Sequence, residues 1–195
     1  MSDHYEGTFL QGPMFNAGTP DFLSICMHSS PGKFTWGNTA SSSIFPTVKK
    51  DDDFAMMWWA PVTPCTSIYI PMYVDSVGLP EAVSDAGKAD VSGTSTRPAD
   101  ANDFTESSLW WWFQALLDWA KTDEDSRTYV ERQQMIRDKL DPIQQDWFER
   151  AKDVERRAAE QRQAGDTDAM VSTLSEFTDE CVTVAIAAAR ELMGR

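Results

Sequence analysis

A chain of 195 residues with a formal net charge of −14 repels phosphate backbones, which argues against nucleic acid as a partner and disfavours anionic membrane surfaces on the same ground. Hydrophobic residues at 42% and eight tryptophans exclude a disordered chain and supply the core of one domain, or of part of a larger one. No apolar run approaches the roughly 20 residues that cross a bilayer, and no basic segment followed by an apolar one opens the chain as a leader would.

Residues 2–8 have neither a helical period nor a cap, and Gly12-Pro13 and Gly18-Thr19-Pro20 follow as turn signals. This reads as entry into the middle of a domain. A short strand over 22–28 then leads through Ser29-Ser30-Pro31-Gly32 into three antiparallel strands. The first, 39–48, is rich in Thr, Ser, Ile, Phe and Val, and residues 49–53 make a charged turn. The second, 54–60, is apolar almost throughout, as a strand covered on both faces requires. Pro61, Thr63 and Pro64 break it. In the third, 66–74, Ile68, Ile70, Met72 and Val74 alternate with Ser67, Tyr69 and Tyr73. Trp58 or Trp59 is expected to face helices.

Residues 84–103, rich in Ser, Asp, Ala, Gly and Thr, read as a surface loop. The pattern then becomes helical. Asp103 and Glu106 resemble a capping box ahead of a stripe of Leu109, Trp112, Phe113, Leu116, Leu117 and Ala120, which Trp110, Trp111 and Trp119 widen. A second helix over 125–140 meets Asp141-Pro142, where it kinks or a third helix starts. Ile136, Leu140, Ile143, Trp147, Ala151, Val154 and Ala158 keep a helical spacing across that junction. Gly165 ends the run, and Asp166 caps a last helix with the stripe Met170, Leu174, Phe177, Cys181, Ala185, Ala188 and Leu192. The organisation is thus 1–83 for the strands, 84–103 for the loop and 104–195 for the helices, in a single α+β domain.

Taken alone, the residues offer little chemistry. Two histidines, His4 and His28, cannot build a histidine-rich metal site, and neither a metal nor another cofactor is expected. Asp51-Asp52-Asp53 reads as a solvated turn, and Trp110-Trp111-Trp112 as helix core before ligand platform. Ser41, Ser42 and Ser43 have no activating neighbour in the sequence. Three widely spaced cysteines fit reduced thiols better than a disulfide framework, with one bridge left open, and Cys26 reads as a buried, inert thiol without a basic neighbour.

Several segments together carry a resemblance. Asp3-His4-Tyr5-Glu6-Gly7-Thr8 resembles the DHYEGT segment of cysteine dipeptidases of the dipeptidase A type, which with their secernin relatives are N-terminal-nucleophile hydrolases. In the same order, Ile25-Cys26-Met27-His28 is similar to a short family strand, and Thr39-Ala40-Ser41-Ser42-Ser43-Ile44-Phe45 to a strand rich in Thr and Ser. Met57-Trp58-Trp59-Ala60-Pro61 and Thr66-Ser67-Ile68-Tyr69-Ile70-Pro71-Met72-Tyr73 resemble the next two strands. Leu79-Pro80-Glu81 is similar to the turn that follows, and Ser107-Ser108-Leu109-Trp110-Trp111-Trp112-Phe113 to a helix start. The resemblance covers most of residues 3–150.

It implies part of a four-layer αββα sandwich, two antiparallel sheets face to face with helices outside. It also implies a mechanism in which an N-terminal cysteine thiolate attacks an amide carbonyl, its own α-amine serving as base. That nucleophile stands upstream of the DHYEGT segment, so the resemblance implies no catalytic residue within this chain. Where the related choloylglycine hydrolases have Ser-Arg-Phe, this chain has Ser43-Ile44-Phe45, and Ile44 cannot replace the arginine. Asn38 is the candidate oxyanion or substrate contact, with a turn-forming role after Gly37 as the alternative. His4, Glu6, Ser41 and Ser43 are candidates for the substrate cleft. The implied partners are a dipeptide or small linear amide and an N-terminal half or subunit bearing the nucleophile, and the chain alone is expected to self-associate. The contrasting expectation is a non-catalytic domain that binds a protein partner through its exposed sheet.

Overall fold

The computed structural model describes residues 4–5, 25–28, 38–48, 53–84, 104–121 and 126–194. Within them lie three strands, β1 (Ser41–Ile44), β2 (Met56–Pro61) and β3 (Ile70–Tyr73), then four helices, α1 (Glu81–Ser84), α2 (Leu109–Ala120), α3 (Ser126–Gln163) and α4 (Thr167–Leu192). The strands form one antiparallel sheet in the order β1-β2-β3, as the sequence predicts. The protein is α+β, with long helices following the sheet.

Cross-strand pairing sets which side chains share a face. Ser42 stands opposite Ala60 and Ile44 opposite Trp58, while Trp58 faces Pro71 and Met57 faces Met72. Trp58 meets Phe148 of α3 edge-on at 4.5 Å, so it is the tryptophan that faces the helices. Every residue of β3 is buried, which explains why its sequence alternates without a solvent face. β1 and β3 are shorter than predicted at both ends, and β2 starts two residues late but extends one residue further. Pro61, expected to break β2, instead closes it opposite Ser41, and the predicted break at residues 63–64 leads into a 3-10 turn, Pro64–Thr66, that takes in Thr66 from the predicted third strand. Pro71 sits in β3, an edge strand among the described residues, where a missing amide hydrogen is tolerated; its carbonyl accepts from Thr178 Oγ1 of α4 at 2.9 Å.

The helices bury the stripes that their sequences carry. Leu109, Trp112, Phe113, Leu116, Leu117 and Ala120 are buried on α2, with Trp110, Trp111 and Trp119 half-buried. The helix starts later than a capping box at residues 103 and 106 requires. Ser108 is the N-cap residue and its side chain makes no capping bond, while Glu106 lies in the turn before it. There the Glu106 carbonyl accepts from Trp112 Nε1 at 2.9 Å, and its carboxylate reaches Arg190. Asp103 lies outside the described residues.

α3 is one continuous helix of 38 residues with Pro142 inside it, so no third helix starts at Asp141-Pro142. Proline removes one backbone bond, but Ile136, Leu140, Trp147 and Ala151 on either side of it are all buried. Gly165, at φ +77°, ends the helix, and Asp166 caps α4 by accepting from the Ala169 amide at 3.0 Å, both as predicted. α3 and α4 form an antiparallel hairpin, tied across by Arg150–Glu180 and Lys139–Glu191 at 2.7 Å each. The expected 22–28 strand is described only from residue 25, where two bends precede a single bridge at His28. Of the 84–103 loop only Ser84 is described, and it ends α1.

Candidate functional site

Two backbone devices bring the site together. Thr39 clamps the 25–28 segment, since its amide donates to the Met27 carbonyl at 2.8 Å, its hydroxyl donates to the Ile25 carbonyl at 2.9 Å, and it accepts from the Met27 amide at 2.9 Å. Cys26 and His28, two residues apart, both turn inward and are buried. The second device is the 3-10 turn Pro64–Thr66, which carries Cys65. The Thr63 and Thr66 hydroxyls share a hydrogen bond of 2.7 Å, and Arg137 of α3 donates to the carbonyls of Pro64, Cys65 and Ser67 at 3.0, 3.3 and 2.8 Å. A guanidinium can satisfy several carbonyls at once because its donors point in fixed directions.

Between these segments, His4, Cys26, His28 and Cys65 converge. One ligand atom from each lies within 4.8 Å of all the others, and all four side chains are buried. His28 Nε2 stands 3.2 Å from Cys65 Sγ and 3.6 Å from Cys26 Sγ. The Cys65 amide donates to Cys26 Sγ at 3.3 Å. Tyr129 of α3 closes the cluster, its hydroxyl 2.8 Å from Cys65 Sγ and 3.3 Å from His28 Nε2. The rings of His4 and His28 lie 5.1 Å apart.

Burial pushes the Cys65 thiol up, but hydrogen bonds with Cys26, His28 and His4, together with the charge of His28, outweigh it and hold the thiol well below its ordinary value. Lys121 lies near enough to feel that charge. Burial lowers its ammonium while Asp118 and Cys65 oppose the shift, and it donates to Asn38 Oδ1 at 3.2 Å. Cys181, on α4, is the contrast: burial drives its thiol well above the ordinary value, so it stays a neutral apolar side chain.

The Cys65–His28 pair has the chemistry of an activated thiol but not the access. Cys65 is 0% exposed, and a nucleophile must touch the carbonyl that it attacks. What the four donors can do is hold a borderline-soft metal ion, since two thiolates and two imidazoles form a tetrahedral ligand set of zinc type.

Of the cleft residues expected from sequence, His4 belongs to this cluster and Glu6 lies outside the described residues. Ser41 is exposed and Ser43 half-buried on β1, while Ser42 turns the other way to share a 2.8 Å hydrogen bond with the Tyr69 hydroxyl. Neither Ser41, Ser43 nor Asn38 belongs to the four-donor set. Cys26, read from sequence as having no basic neighbour, has His28 beside it. The Cys26-Met27-His28 spacing, two donors separated by a single residue, was the one local signal of the cluster; Cys65 and Tyr129 gave none. Comparison with protein-family models, with curated proteins and with solved structures finds no match to this chain.

Proposed function

We propose that this chain supplies strands, a helical layer and a cleft wall to a dipeptidase-type amide hydrolase of the N-terminal-nucleophile class, the nucleophilic cysteine coming from a segment outside residues 1–195. The complete enzyme would hydrolyse dipeptides or other small linear amides. The observation that carries this reading is the antiparallel meander followed by α2. Its strands and helix start fall on the segments that resemble the dipeptidases, with Trp58-Trp59-Ala60 in β2 and Ile70-Pro71-Met72-Tyr73 in β3. An αββα sandwich also needs a sheet backed by helices on one side, and Trp58 against α3 and Pro71 against α4 supply that backing. An external nucleophile agrees with the burial of all three thiols.

The test compares dipeptide hydrolysis by residues 1–195 alone with that by the same chain joined to, or mixed with, a segment bearing an N-terminal cysteine. The first should release no free amino acid. The second should, and should lose the activity when that cysteine becomes alanine. Thiol-dependent turnover by residues 1–195 alone, abolished by Cys65→Ala, would overturn the proposal, as would an inert complete assembly.

The exposed end of β1 favours a second reading, a non-catalytic domain that binds a protein partner there. Phe45 is 71% exposed, and with Val48, Met57, Met72 and Val74 it lines an apolar cleft of about 400 Å³. Stable capture of a partner at this cleft by a complete assembly without turnover would separate it from the first.

A further inference from the structure

We propose that His4, Cys26, His28 and Cys65 bind one zinc ion in a closed tetrahedral site that staples the 4–5 and 25–28 segments to the turn after β2. The inference is independent of the hydrolase reading, because it rests only on these side chains.

The first support is geometric. Bonds of about 2.3 Å to sulfur and about 2.0–2.1 Å to nitrogen place tetrahedral ligand atoms about 3.3–3.8 Å apart. The separations of His28 Nε2 from the two sulfurs, 3.2 and 3.6 Å, lie at or close to that range, and all four donors fall within 4.8 Å of one another. Small inward shifts suffice to close the set on an ion.

The second is chemical. Two thiols and two imidazoles are removed from water together, and hydrogen bonds to sulfur are too weak to compensate well for that. A dication held by two thiolates and two neutral imidazoles leaves the site uncharged, which a buried site demands. Sulfur–nitrogen ligation in a tetrahedron selects zinc over magnesium or calcium, which prefer oxygen. With four protein ligands and no access for solvent, such a site is structural, having no open position for a reacting water.

The surroundings are already those of thiolate ligands. The Cys65 amide points at Cys26 Sγ, and the Tyr129 hydroxyl is placed to donate to Cys65 Sγ once that sulfur is a metal-bound thiolate. Arg137 holds the carbonyls on either side of Cys65, fixing the turn from which it projects. Tyr5, next to His4, and Val62, just before the turn, both take φ of +58°, a left-handed conformation that is costly for a side chain branched at Cβ such as Val62. Strained backbone of this kind persists where its surroundings over-determine it, and here it flanks ligands from two separate segments.

The experiment is elemental analysis of residues 1–195 purified under reducing conditions without chelator, followed by replacement with cobalt(II). One zinc per chain is expected. Cobalt should give the visible bands of a tetrahedral ion and a near-ultraviolet thiolate-to-metal band. Cys26→Ser, Cys65→Ser, His4→Gln and His28→Gln should each lose the metal, whereas Cys181→Ala, which leaves every ligand in place, should keep it with an unchanged cobalt spectrum. Because a ligand variant can simply misfold, Tyr129→Phe provides a second reading: it keeps all four ligands and should weaken zinc about 10–100-fold in competition with a chelator. Reduced, folded wild-type protein that carries no zinc and shows no cobalt bands would overturn the proposal. So would a Cys26–Cys65 disulfide in protein whose thiols were alkylated before lysis.

Discussion

Glu155 of α3 shows how one partly buried contact ties stability to pH. It accepts a hydrogen bond from the Tyr73 hydroxyl of β3 at 3.0 Å. Burial raises its carboxyl above the ordinary range; the Tyr73 bond opposes the shift and the charge of Asp53 adds to it. Tyr73 is itself raised far above its ordinary value by burial, then by the same carboxylate, so it stays protonated and able to donate. A folded carboxyl with a raised pKa binds more protons than the unfolded one, so its effect is to make stability fall as pH rises. That fall begins at about pH 4.3, the ordinary glutamate value, and ends at the raised folded value. Glu155→Gln keeps an acceptor for Tyr73 and removes the titration. Denaturation midpoints across this window should therefore decline less steeply in the variant than in the wild type, and parallel profiles would show that Glu155 is not the group responsible.

At the scale of elements, α3 is the long member against which the sheet, the 3-10 turn and α4 are all fixed. It sends Arg137 to the turn carbonyls, Gln144 to the Tyr69 amide at 2.9 Å, and Phe148 to Trp58. The ion pairs that join it to α4 are partly exposed, and such pairs contribute little; the buried Trp147 and Phe177 hold the hairpin. Pro142 is the weak point of α3, since it has no amide hydrogen to give to the carbonyl one turn back. Pro142→Ala should restore that bond and raise the unfolding free energy by about 1–3 kcal/mol, measured by urea denaturation. An unchanged or lowered stability would mean that the helix needs the proline's local geometry for its packing.

At the scale of the whole molecule, two opposed features govern association. The net charge of −14 keeps copies apart, while the exposed end of β1 and the cleft beside it invite contact. Ile44 and Phe45 are both exposed at that end. Raising the salt concentration screens the repulsion but not the apolar attraction. Self-association measured by sedimentation should therefore grow with salt, and Phe45→Lys should reduce it at every salt concentration without altering the far-ultraviolet spectrum. Equal association of the variant and the wild type would place the contact elsewhere.

The sequence alone determined the elements whose signal is local. Period-two and apolar runs predicted three antiparallel strands, and spacings of three and four predicted the stripes of α2, α3 and α4, because those patterns are read between neighbours in the chain. Gly165 and Asp166 were equally legible, since a left-handed stop and a capping carboxylate each act within one turn. Tertiary structure decided the rest. Burial on both sides of Pro142 carried α3 through a residue that by itself signals a break, and the late start of α2, after Ser108, left Glu106 with partners other than a cap. The four-donor cluster was the least legible of all. Cys65 reaches Cys26 across 39 residues and Tyr129 reaches His28 across 101, and no pattern of neighbours encodes such distances. The Thr39 clamp on the 25–28 segment and the packing of α3 against the turn after β2 together bring those groups within bonding range.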